Sequence, residues 1–167
     1  MENLKGLIRV GRVSAIYPEK ARARVAFEAH KLVSYELSVV QKQTLKNRDY
    51  WMPDVGEYVL CVFLPTGNAS GFIVGSLYSE QNIPDLSSND KRAIMFDDGT
   101  YIEYDRKAHL LTLDVPDGMI NININGPINI TATGNINVNG DVIADGISLK
   151  NHVHPENDNG GPTAPPQ

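Results

Sequence analysis

From residue 120 to residue 142 the aliphatic side chains fall only on even numbers: Ile120, Ile122, Ile124, Ile128, Ile130, Ile136, Val138 and Val142. Asn, Thr, Gly and Asp fill most of the other positions. Strand side chains alternate faces with a period of two, so this spacing draws one apolar stripe along an extended chain and sets amides on the opposite side. A helix is excluded. Gly126 with Pro127, Gly134 and Gly140 interrupt the run, yet the phase returns each time. Glycines 118, 126 and 134 are spaced by eight and 140 and 146 by six, a loose repeat of strand and kink.

Leaving about eight such side chains in water forfeits on the order of 12–24 kcal/mol, at about 1.5–3 each. A whole domain is held by only about 5–15 kcal/mol. The stripe must therefore be covered, but the segment has no second apolar face and no charge from residue 119 to residue 140. A single-chain solenoid stacks about three or more repeats of at least roughly 20 residues, too many for this stretch. Three copies turning their stripes to a shared axis solve the problem and also remove free strand edges. An ordinary sandwich strand set or an aggregation-prone tract is the bland alternative.

Ile147 and Leu149 are followed by His152 and His154, one residue apart. In an extended chain the two imidazoles share a face, and a threefold assembly brings six to one axial point. Zinc prefers a tetrahedron, so an octahedral six-nitrogen shell points to one first-row ion per trimer, such as iron(II), with nickel or cobalt as competitors. A closed shell has no open position for substrate and is structural. Taken alone, such a pair is more often two solvated bystanders. Pro155, Gly160, Gly161, Pro162, Pro165 and Pro166 end the strand and suit a turn back. Glu156 and Asp158 are candidates for a second ion, but their spacing fits no established loop and they read as loop acids.

The composition changes near Asn89: aromatics and mixed charges precede it, whereas after Pro116 the aromatics vanish. Its 167 residues, 41% hydrophobic, allow one medium domain or two small ones. In the first part Ile8, Val10 and Arg12, then Ala21, Ala23, Val25 and Phe27, alternate with Lys20, Arg22, Arg24 and Glu28 on both sides of a turn at Tyr17, Pro18 and Glu19. Residues 33–40 suit another strand. Pro53 to Gly56 form a turn launching 57–64, and Pro65, Thr66, Gly67 and Asn68 turn into 71–78. Five short strands within about eighty residues suit a small Greek-key barrel of the OB type. No run approaches a membrane helix, and no signal peptide is read at the start.

Lys20, Arg22 and Arg24 raise nucleic-acid binding, the known use of many OB barrels. The net charge of −5 and the lack of interleaved aromatics argue instead for a solvated strand face. Asp97 and Asp98 before Gly99 suit a hairpin turn better than a catalytic carboxylate pair. Asp105, Arg106 and Lys107 make a second turn before residues 110–115. Cys61 reads as a small core residue, and His30 and His109 have no partners at useful spacing. No catalytic constellation stands out, so no enzymatic activity is expected.

The ordered set GLIRVGRVSAIYPEKARARVAF, PDVGEYVLCVF, GFIVGSLY, FDDGTYIEYD, the Ile/Asn repeat and HVH resembles the baseplate assembly protein V family. These are the central spikes of contractile phage tails and phage-tail-like particles. The resemblance covers nearly the whole chain. It implies an all-β fold: an OB-fold domain over residues 1–80, a linker over 81–92, an intertwined trimeric triple-stranded β-helix over 93–149, and an iron-capped apex over 150–167 carrying His152 and His154. It further implies a structural spike in the virion tail baseplate, assembled in the host cytoplasm. Such a spike contacts the baseplate hub protein and tail tube and pierces the target cell envelope on sheath contraction. Neither nucleic acid nor a small-molecule substrate is expected. Some members of the wider superfamily carry a lysozyme domain after the barrel, for which residues 80–91 are too few, and an opening directly on the barrel suits the minimal type. The rival readings are an OB-fold nucleic-acid-binding protein with an oligomerising β tail and a metal-dependent hydrolase.

Overall fold

The computed structural model describes residues 6–65, 70–155 and 160–163. The chain divides into two compact units, Met1–Pro116 and Asp117–Gln167. All its extended elements are strands, and the only helical turns among the described residues are two short 3-10 segments, Pro18–Lys20 and Glu28–His30.

Six strands build the barrel: β1 Ile8–Tyr17, β2 Arg22–Phe27, β3 Leu32–Val33, β4 Leu37–Val39, β5 Tyr58–Phe63 and β6 Gly71–Leu77. Five of them close a ring in the order β1, β2, β4, β6, β5 and back to β1, and β3 extends β2 on one side. The β4 to β6 pairing is parallel and the others are antiparallel. Closure leaves no strand of the ring with an unpaired edge along its whole length. The expected strand over 33–40 is thus split into β3 and β4. Between them the Ser34 hydroxyl accepts from the Val25 N–H at 2.9 Å.

Alternation fixes what lies inside. Ala23, Val25 and Phe27 point into the barrel while Arg22 and Arg24 stay exposed, as their spacing predicts. Val13, Leu37, Val39, Val59, Cys61 and Ile73 complete the core. On β1 the face bearing Ile8, Val10 and Arg12 is the outer one: Ile8 is 68% exposed and Val13 only 2%. Two local features set this phase. Gly11 faces inward because β2 passes too close for any side chain, and the pairing slips between Val13 and Ala15 through a bulge. Above the Phe27 and Phe63 rings, packed edge to face, the Arg9 guanidinium lies within 5.7 and 5.2 Å of the two centroids.

The turn before β5 forms as expected. Gly56 takes a φ of +99°, and the Glu57 carboxylate accepts the Asp54 N–H at 3.0 Å. Of the next turn, Thr66, Gly67 and Asn68 lie outside the described residues.

A three-stranded meander follows, with β7 Lys91–Met95, β8 Tyr101–Asp105 and β9 Leu110–Asp114, and it belongs to the first compact unit. Gly99 at φ +84° closes the β7–β8 hairpin, and the Asp98 carboxylate accepts the Thr100 N–H at 2.9 Å. Asp97 and Asp98 therefore sit in a turn, as read from the sequence. The Asp105 carboxylate accepts the N–H groups of Lys107 and Ala108, both at 2.9 Å, and forms the second turn.

Within the second unit the only strands among the described residues are β10 Ile143–Ala144 and β11 Ile147–Ser148, a two-residue hairpin. No helix among the described residues is long and apolar enough to cross a membrane.

Candidate metal centre and apolar ribbon

The ribbon comes first because it governs the rest. Between β9 and β10 no strand pairing occurs among the described residues, so the period-two segment has no ladder there. Its aliphatic side chains remain open to water, from 44% exposed at Val142 to 71% at Ile130. Asn and Thr occupy the intervening positions. Asparagine side chains and unpaired backbone groups can be satisfied by other strands, and no strand among the described residues pairs with this segment.

Beyond the ribbon the chain makes a tight structure from few residues. Asp145 at φ +51° and Gly146 at φ +83° form a two-residue hairpin turn in which both central residues are left-handed, the geometry Asp-Gly favours. The Leu149 N–H donates to the Val142 carbonyl at 2.8 Å and extends the pairing. Asp141 binds the returning strand: its carboxylate accepts the Ser148 hydroxyl at 2.5 Å and the Lys150 N–H at 3.0 Å. The Ser148 hydroxyl holds the Asp141 carboxyl below the usual carboxylate range. Ser148 Oγ in turn accepts the Asn151 N–H at 2.8 Å.

This turn delivers the imidazoles. The His152 N–H donates to the Ser148 carbonyl at 3.1 Å, and His152 Nδ1 lies 3.0 Å from the same oxygen and 3.1 Å from the Leu149 carbonyl. Carbonyl oxygens only accept, so these contacts call for a hydrogen on Nδ1, and the tautomer that meets them has its lone pair on Nε2. That is the arrangement of a histidine metal ligand, whose second nitrogen is fixed by a backbone carbonyl. His154 is held through its backbone, which donates to Thr163 Oγ1 at 2.9 Å and accepts the Thr163 N–H at 3.0 Å. The two rings meet edge to face, with centroids 5.1 Å apart and planes at 88°.

Imidazole is a donor suited to first-row metals, but the two that this chain places together do not complete a shell. Among the described residues no group of three or more His, Cys, Asp and Glu is placed to hold an ion. Two imidazoles are one third of an octahedral shell. Glu156 and Asp158, the second-ion candidates, and Pro165 and Pro166 lie outside the described residues.

The remaining candidate residues are taken up by structure. Lys20 and Arg22 both face Glu36, at 3.5 and 3.9 Å, so two of the three cations considered for nucleic acid are paired on the barrel surface. Cys61 is fully buried, and burial pushes its thiol up to about 11. The Asp145-Gly146 hairpin and the Asp141 clamp were not anticipated. An Asp-Gly pair between Ile143 and Ile147 is the available signal for the first, hidden because Gly146 also continues the glycine spacing of the ribbon.

A closed barrel, an apolar ribbon of period two and a pair of histidines follow one another along the chain. No protein-family profile matches the chain. It is similar to the Spike protein of Escherichia phage P2, at 27% identity over 130 residues, which span 78% of this chain and 59% of that protein.

Proposed function

We propose that this protein is a structural component of a phage or phage-tail-like baseplate, a central spike built from three copies of the chain. The observation that carries the proposal is the ribbon: a regular aliphatic stripe, half or more exposed along most of its length, on a segment with no strand partner among the described residues. Three copies winding together bury the stripe and pair the backbone at once, as a triple-stranded β-helix does. The similarity to a protein named for a spike agrees with this reading.

In the assembled spike the barrel is an OB-type module that seats the shaft on the hub protein and tail tube. His152 and His154 of three chains supply six imidazole nitrogens to one iron ion, with nickel or cobalt as chemical alternatives. When bound, the ion ties three chain ends together and offers no site to a substrate. The chain's own part is mechanical: paired strands resist fraying while sheath contraction, which supplies the work, drives the point through the target envelope. Nucleic-acid binding is disfavoured by the Glu36 pairs and the net charge of −5.

Replacing both His152 and His154 with Ala tests the metal centre. Elemental analysis is expected to show about one ion per three wild-type chains and none in the variant, with the sedimentation mass of the variant unchanged. Unchanged metal content in the variant would contradict the ligand assignment.

A further inference from the structure

We infer that Asp141 and Ser148 are positioning residues for His152, fixing which of its ring nitrogens faces a metal. The inference rests on the proposed metal centre and adds to it the part of the chain that prepares the ligand. His152 does not reach into the tip from a free tail. Its Nδ1 is engaged by the carbonyls of Ser148 and Leu149, at 3.0 and 3.1 Å. Those carbonyls are held in place by one carboxylate on the preceding strand side, since Asp141 takes the Ser148 hydroxyl with one oxygen and the Lys150 N–H with the other. Ser148 serves twice, its hydroxyl also accepting the Asn151 N–H at 2.8 Å while its carbonyl accepts from His152.

The chemical consequence is a choice of tautomer. With Nδ1–H committed to backbone carbonyls, the lone pair is on Nε2, and the ring is oriented before any ion arrives. Loss of the Asp141 clamp releases residues 148 to 150, and the ring regains its freedom to carry the hydrogen on Nε2, which cannot bind metal in that form. Among the described residues no carbonyl contacts the His154 ring, so the effect is expected at His152.

The test uses the full-length assembled protein, with Asp141→Asn and Ser148→Ala compared with wild type. Iron(II) affinity is measured by competition with a chelator, and the histidine tautomers of the metal-free protein by ring nitrogen chemical shifts. Both variants are expected to bind iron(II) about 10–100-fold more weakly and to move the His152 ring toward the Nε2–H form, with His154 unchanged. If Asp141→Asn disturbs assembly, Ser148→Ala, which keeps the carboxylate, decides the matter. Unchanged affinity and unchanged ring shifts in both variants, with iron bound by wild type, would overturn the positioning role and leave the metal centre standing. Failure of wild type to take up iron(II), nickel(II) or cobalt(II) would instead remove the metal centre, and this role with it.

Discussion

Gly11 shows how one residue decides the facing of a whole strand. A Cβ at this position would lie 2.6 Å from Val25 Cγ1, 2.7 Å from the Ala26 carbonyl oxygen and 2.8 Å from Phe27 Cδ1. Backbone cannot yield as a flexible side chain does, so Gly11→Ala is expected to lower stability by about 1–3 kcal/mol, measured by denaturant unfolding. An unchanged midpoint would mean that β1 and β2 separate easily. The sequence shows the inward set Ala23, Val25 and Phe27 directly, because small and aromatic residues alternate with Arg22 and Arg24. It does not show that Ile8 and Val10 face out. A contact between strands and a bulge set that choice, and neither leaves a local pattern. The two histidines were visible as a pair, whereas the carbonyls that fix His152 were not, since backbone acceptors have no residue signature.

At the scale of elements, turn chemistry was the most legible feature. Asp98 and Gly99 close one hairpin, and Asp105 closes the next through the N–H groups of Ala108 and Lys107. These bonds, led by that from Ala108, hold the Asp105 carboxyl below its usual range. A carboxyl lowered in the folded state stabilises above its unfolded value of about 3.9 and loses that contribution as pH falls through the folded one. Asp105→Asn is therefore expected to speed amide hydrogen exchange at Lys107 and Ala108 at neutral pH, with wild type and variant converging in acid. Equal exchange at pH 7 would contradict this. The Asp145-Gly146 hairpin carries the same signal, but a longer period ran through it. The ribbon itself has the strand alternation without a ladder among the described residues, and the proposed partner strands belong to other copies of the chain.

At the scale of the whole molecule, the two compact units contrast in how they keep apolar surface from water. Met1–Pro116 encloses its core within a ring of strands, whereas Asp117–Gln167 carries its aliphatic stripe outward. The proposed shaft and metal tip both follow from that contrast, since the same axis that hides the stripe brings together imidazoles too few in one chain to form a shell. Sedimentation of the purified full-length protein at micromolar concentration tests this most directly. A single species of three chain masses is the predicted result, and a well-ordered, soluble monomer carrying an open ribbon would contradict it.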